Sequence, residues 1–509
     1  MKKLLLLLFV TTSTLSFAAA PPNEPIAVIA NVSIVDGTGA PARKGSVRIA
    51  DGRIVDVGDV IPGQTEIVID GGGKTLAPGF IDTHSHHDED IAQSADLVAA
   101  ISQGITTIIV GNDGTSEFPL SEFYARLEKS PTAVNIGSFS GHNTLREKAM
   151  AAARRPATEE EIASMGKLLE ADMAAGAFGF SSGLEYESGN FSTPAEVIAL
   201  AQVSARLGGR YSSHIRDEEG GLMSALQEVV EVGKQTGAPV HVSHLKIAAR
   251  NLWGSSDKVL KLLDDARASN VDITADVYPY TYWQSTMRVM FPTKIYDDRK
   301  ALAETLERST PPDGLYFARY APDPSIVGKT LAEVAKARGK NPVDVYLELM
   351  KAAIDYQVAH PTEDRFESII GFSMNEDDVA RLLAWEHTNI CSDGESLGHP
   401  RGYGTFPRVL GHYARDKKVM TLERAVHKMT GLSAKFLGIT DRGVIAPGAH
   451  ADLVLFDPVT VADRATLQNS TALSTGIDKV WVNGRLVYQE KRSTGAHAGE
   501  VVRAVKVSP

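Results

Sequence analysis

Through the middle of this 509-residue chain, apolar runs of strand character alternate with segments of helical periodicity. The runs read TTIIVG, AVNIGSFSG, GAFGFSSGLEY, GGRYSSHI, APVHVSHLK, VDITADVYPY, FESIIGFS and HTNICSDG. Helical stretches such as AEVIALAQVSARLG and MSALQEVVEVGKQTG follow most of them. A strand that is followed by a helix and then by another strand lies parallel to its neighbour, so the alternation predicts an α/β fold on a parallel sheet. About eight such units favour closure into a (β/α)8, TIM-like barrel over an open sheet. No G-x-G-x-x-G turn opens a helix after an early strand, which argues against a dinucleotide-binding sheet. Two β-rich segments bracket the alternation: IAVIANVSIVDG to TEIVIDGGG before it, and GVIAPGAHADLVLFDP to KVWVNGRLVYQE after it. They predict a discontinuous β-sandwich built from 22–76 and 440–503, beside a barrel over 77–439. The polar, proline-containing stretch 288–353 reads as an insertion or lid.

The ends and the charge narrow the setting. Residues 1–20 carry Lys2 and Lys3, an apolar run and a small-residue end at Ala18-Ala19-Ala20. This is the pattern of a secretory signal peptide, too short for a stable membrane span, and it predicts export to a bacterial periplasm or the medium. The net charge is −11 with no basic run, which argues against nucleic acid or an anionic membrane as partner. The single cysteine, Cys391, has no intrachain partner and reads as a small buried hydrophobe at a strand end.

The unusual polar residues fall at the ends of predicted strands, the rim where a barrel gathers its active site. His84 and His86 close the first strand in FIDTHSH, and their i, i+2 spacing turns both rings to one side. Asp113 follows TTIIVGN, Glu185 follows FGFSSGL, His214 follows GGRYSS, His244 follows APVHVS, and Asp393 follows HTNICS. Imidazoles and carboxylates in this number suit one or two divalent ions, zinc first among them. Asp393 doubles as the expected proton carrier. Lys246, two residues past His244, together with Arg401 and Tyr278, makes a candidate clamp for a substrate carboxylate. Tyr186 is a candidate on the opposite side, and His142 and Arg216 are candidates for a supporting role. Met287, Met290 and Phe291 suggest an apolar side-chain pocket.

PGFIDTHSH, SSHIRDE, VSHLK, SDG and the closing PGAHADLVLFDP together resemble the amidohydrolase superfamily. FSSGLEY, GHNTLR, DVYPY and HPRGYGTFPRVLGHY resemble more narrowly its D-aminoacylase, or N-acyl-D-amino-acid deacylase, branch. The likeness spans nearly all of the chain beyond the leader. It implies metal-dependent hydrolysis of N-acyl-D-amino acids, with His84, His86 and Asp393 around one ion and His214 and His244 around another. It also implies that Lys246, Tyr278 and Arg401 hold the α-carboxylate. The branch carries a cysteine ligand in a GN-Cys-G loop, where this chain has Gly111-Asn112-Asp113-Gly114. Either Asp113 replaces that thiolate or Glu185 links the two ions, and Glu185 is placed first. Two rival substrates keep the same chemistry. One is an L-Xaa-D-Xaa dipeptide, its free amine held by Glu187 or Glu117. The other is a cyclic amide, disfavoured by the clamp and by the lack of a lysine at the fourth strand end.

Overall fold

The computed structural model describes residues 26–151, 153–363 and 365–505. The leader read at 1–20 lies outside them. The fold is mixed α/β. Its centre holds eight strands here labelled β1 (Phe80–Asp82), β2 (Ile105–Val110), β3 (Asn135–Ser138), β4 (Gly179–Gly183), β5 (Arg210–His214), β6 (Val240–Val242), β7 (Ile273–Val277) and β8 (Thr388–Ile390). β1, β2 and β3 form one parallel sheet. β4 to β8 form a second with the two-residue strand Ser140–Gly141, which continues β3. At one junction Phe178 N–H donates to Ser138 O at 2.9 Å. At the other Asp393 N–H donates to His84 O at 2.9 Å, beside a parallel bridge between Ser85 and Gly394.

The intervening helices form because their sequences supply both caps and an apolar stripe. In Pro194–Arg206, Thr193 caps the N-terminus by accepting from Glu196 N–H, with Pro194 in the first turn, where its missing N–H costs nothing. Leu222–Thr236 buries Leu222, Ala225, Leu226, Val229 and Val230 and stops at Gly237 in the left-handed region. Each such leucine or valine contributes about 1.5–3 kcal/mol by leaving water, and the summed stripe holds the helix on the strands.

The two β-rich ends of the chain meet in one nine-stranded sheet. Leu453–Phe456 pairs antiparallel with Thr75–Pro78, which runs parallel to Ala27–Ile34. One apolar cluster, including Ile29, Ile34, Val47, Leu453, Leu455 and Trp481, joins both ends.

The run FESIIGFS is not a strand of the central parallel sheet. Glu367–Phe372 is the middle strand of an antiparallel three-stranded sheet, between Tyr282–Ser285 and Leu315–Tyr320. This unit has its own core, in which Met287, Met290, Phe291, Phe317 and Ile369 are buried. It enters the chain between β7 and β8, contains the polar stretch 288–353, and overhangs the strand ends. No helix among the described residues is long and apolar enough to cross a membrane.

Candidate metal centre

His84, His86, His214, His244, Asp113 and Asp393 converge at the C-terminal ends of β1, β2, β5, β6 and β8. His84 Nε2 lies 3.3 Å from His86 Nε2, 3.4 Å from Asp113 Oδ2 and 3.5 Å from Asp393 Oδ1. His86 Nε2 lies 3.5 Å from Asp113 Oδ2 and 3.3 Å from Asp393 Oδ1. Zinc–ligand bonds of about 2.0–2.1 Å imply tetrahedron edges of about 3.3–3.4 Å, and these five distances lie close to that length. On the far side of Asp113, Oδ1 lies 3.2 Å from His244 Nε2 and 3.9 Å from His214 Nδ1, and those two nitrogens are 3.0 Å apart. His214 Nε2 donates to Glu185 Oε2 at 2.9 Å, which leaves Nδ1 its lone pair. Two imidazole nitrogens at such a distance share either a proton or a metal cation. The donor set therefore suits a first position with four protein ligands and a second with three, sharing Asp113.

The local backbone explains how the residues reach these places. Asp113, His244 and Asp393 all have positive φ, at 55°, 35° and 46°. Such a kink is costly for non-glycine residues and collects at functional sites, where surrounding bonds enforce it. His244 N–H is fixed by the buried Asp276 carboxylate, and Asp82 accepts from Ser392 N–H at 2.8 Å just before Asp393. Gly111, at φ 73°, opens the Asp113 loop; a Cβ there would lie 2.3 Å from Phe139 O.

Glu185 does not stand between the imidazole pairs. The turn after β4 aims it at the outer nitrogen of His214, and Asp113 occupies the middle. Burial works against charge on His86, yet hydrogen bonds to Asp113 and Asp393 outweigh it and hold the ring's pKa well above the usual range. For His244, burial and Lys246 lower it, but Asp113 and Glu218 win and lift it to about 10. Burial likewise opposes ionisation of Asp393, and Arg401 with the imidazoles overcomes it, so this carboxyl titrates far below the ordinary carboxylate range.

A narrow cleft opens beside the cluster, lined among others by Lys246, Tyr278, Arg401 and Tyr186. Arg401 donates to Asp393 Oδ2 at 2.6 Å and lies over the Tyr278 ring at 4.8 Å. The Tyr278 hydroxyl and Arg401 Nε are buried without hydrogen-bond partners among the described residues. Lys246 Nζ is 5.6 Å from the Tyr278 ring centre and pairs with Glu218 Oε1 at 2.6 Å. Arg401 opens the helix Arg401–Arg408, its N–H held by His399 Nδ1 at 2.9 Å. Val289, Met290 and Trp283 supply the apolar wall, whereas Met287 and Phe291 turn into the core of the overhanging unit. A wider mouth, bounded by Glu89, Arg365 and Glu395, leads inward.

The remaining candidates lie outside the cluster. His142 Nε2 pairs with Glu196 at 2.9 Å, and Arg216 is engaged by Glu228. Glu187 accepts from Tyr296 at 2.7 Å, and Glu117 pairs with Arg126 on the surface. Burial raises the Cys391 thiol well above its ordinary range, consistent with an inert core residue. Glu218, which meets His244 Nδ1 at 3.0 Å and Lys246 Nζ at 2.6 Å, is a neighbour of the cluster that sequence reasoning missed. It sits four positions past His214 within Asp217-Glu218-Glu219, a run that reads as a solvated acidic loop.

A family model described as the amidohydrolase family matches residues 67–488. A D-aminoacylase of Alcaligenes xylosoxydans xylosoxydans is 37% identical over 502 residues, covering 93% of this chain and 97% of that protein. A D-aminoacylase solved to define the role of its binuclear metal centre superposes with a TM-score of 0.83 at 35% identity, covering 94% of this chain and 99% of that one. An N-acyl-D-glutamate deacylase from Bordetella bronchiseptica, complexed with zinc and a phosphonate mimic of the tetrahedral intermediate, matches with a TM-score of 0.83 at 34% identity, covering 94% and 100% of the two chains.

Proposed function

Because the chain belongs to the amidohydrolase family, we propose that it is a metal-dependent hydrolase that cleaves the amide of N-acyl-D-amino acids to a carboxylate and a free D-amino acid. The observation that carries this reading is the placement of a His and Asp donor set directly beside a cleft lined by Lys246, Arg401 and Tyr278. The reading assigns His84, His86, Asp113 and Asp393 to one divalent ion and His214, His244 and Asp113 to a second, with zinc the first choice and Glu185 supporting His214 from outside. As scaffold it takes a (β/α)8 barrel closed through β3–β4 and β8–β1, flanked by a sandwich from both chain ends. The backbone bonds at the two junctions and the apolar cluster shared by those ends support this. The leader composition supports export.

When bound, a divalent cation acidifies water and polarises an amide carbonyl. Lys246, Arg401 and the Tyr278 hydroxyl hold the α-carboxylate of the substrate and so fix the scissile bond over the cluster. Asp393, held ionised by Arg401, takes the proton of the attacking water and returns it to the leaving nitrogen as the C–N bond breaks. Trp283, Val289 and Met290 give the cleft an apolar wall and exclude water.

Tyr278→Phe isolates the clamp. The substitution removes a hydroxyl that makes no hydrogen bond to any described residue, so the melting temperature should change little. A hydrogen bond to a charged group is worth about 1.5–3 kcal/mol, so kcat/KM should fall about 10- to 100-fold. Steady-state kinetics and a thermal melt on one preparation check both halves.

A dipeptide with an L-residue in place of the acyl group is the second reading. Glu185 on the cleft wall favours it as an acceptor for a free ammonium, with Glu219, itself paired with Arg308 at 2.7 Å, beside it. A panel pairing N-acetyl-D-amino acids with L-alanyl-D-amino acids separates the two readings by their kcat/KM ratio.

A further inference from the structure

Two of the four imidazoles have a carboxylate on the nitrogen that faces away from the cluster. His214 Nε2 meets Glu185 at 2.9 Å, and His244 Nδ1 meets Glu218 Oε1 at 3.0 Å. His84 Nδ1 has no such partner among the described residues. A neutral imidazole bears one N–H and one lone pair, and the hydrogen bond at one nitrogen decides which is which. A carboxylate only accepts, so the nitrogen facing it carries the hydrogen and the other nitrogen is free to bind a cation.

His244 has a competitor that His214 lacks. Lys246 Nζ lies 2.7 Å from the same Nδ1 and 2.6 Å from the same Glu218 oxygen. An ammonium this close, left to itself, donates to Nδ1. The ring hydrogen then moves to Nε2, the atom that faces Asp113 and His214, and the cation-binding lone pair is lost. The oxygen of Glu218 reverses that outcome by accepting from both neighbours. Within the group His214, Glu218 and His244, the lysine ammonium thus lies against two of the three members.

We propose that Glu218 is a positioning residue. Its single oxygen keeps His244 in the tautomer that presents Nε2 to a metal, and it anchors Lys246 beside Tyr278 for the substrate carboxylate. Cation binding and carboxylate binding thereby share one anchor. The inference rests on reading His214 and His244 as metal ligands, but not on the identity of the amide.

The test is zinc affinity of the metal-stripped, full-length protein, measured by competition with a chromophoric chelator. Glu218→Gln should weaken the His214/His244 position by about 10- to 100-fold, the range for loss of a carboxylate behind a ligating histidine. Glu228→Gln, which removes a nearby carboxylate touching no cluster imidazole, should stay within about twofold of wild type. Lys246→Met alone should keep the affinity. Adding Lys246→Met to Glu218→Gln removes the competing donor and should recover most of the loss, a rescue that a merely structural role would not produce. The proposal is overturned if Glu218→Gln binds zinc like wild type, if the double variant is no tighter than Glu218→Gln, or if Lys246→Met by itself loses affinity. Should Glu218→Gln fail to fold alone, the double variant measured against Lys246→Met carries the test: without the competing ammonium the loss of the carboxylate should cost less than about tenfold, and a larger loss overturns the proposal. A wild-type protein that binds zinc yet hydrolyses no amide counts against the proposed function and leaves this inference standing.

Discussion

Asp393→Asn should lower kcat on an N-acyl-D-amino acid by about a thousandfold or more while KM changes by less than tenfold. Asparagine preserves the size of the side chain and one oxygen toward His84 and His86, 3.5 Å and 3.3 Å away in the native site. It cannot take a proton from water. It also releases Arg401 from its 2.6 Å ion pair, so the clamp gains rather than loses positive charge toward a substrate carboxylate. The loss should therefore appear in kcat, with zinc still bound at His214 and His244. A variant in which KM rises and kcat holds would make Asp393 a binding residue and remove the proton carrier from the account.

Asp113→Ala should lose metal from both positions and activity with it. Asp113 is the carboxylate that faces both halves of the cluster, Oδ2 toward His84 and His86 and Oδ1 toward His244 and His214. Without it, four imidazoles and Asp393 remain around two sites that have each lost a negative ligand. Elemental analysis after dialysis against a weak chelator should find at least one equivalent of metal fewer than in wild type, with activity below about 1% of wild type. Asp113→Cys supplies a softer anionic ligand at the same loop position and should retain metal. If Asp113→Ala keeps its full metal content and Glu185→Ala does not, Glu185 is the shared ligand and the site geometry requires rewriting.

The strand ends were readable because the hydrophobic pattern that marks a strand also marks where it stops. His84, His86, His214, His244 and Asp393 all follow such stops and all arrive in one cluster. The choice between Asp113 and Glu185 was not readable. Both are carboxylates just past a strand, and only the left-handed backbone at Asp113 and the turn after Gly183 decide which one points inward. Glu218 escaped notice because one of three consecutive acidic residues looks solvated until its neighbours in space, Lys246 and His244, are known. The run FESIIGFS misled for the opposite reason. A buried strand of an antiparallel insertion and a buried strand of the central parallel sheet present the same apolar letters, and pairing partners are not encoded in the run itself.

The most direct measurement follows amide hydrolysis by one preparation in its zinc-loaded and chelator-stripped states, with N-acetyl-D- and N-acetyl-L-amino acids as substrates. The account expects the zinc-loaded protein to release D-amino acids, the stripped protein to lose that activity and regain it when zinc is returned, and the L-series to be cleaved far more slowly. Equal rates with and without metal, or a fully zinc-loaded protein that leaves every D-substrate and dipeptide intact, would contradict it.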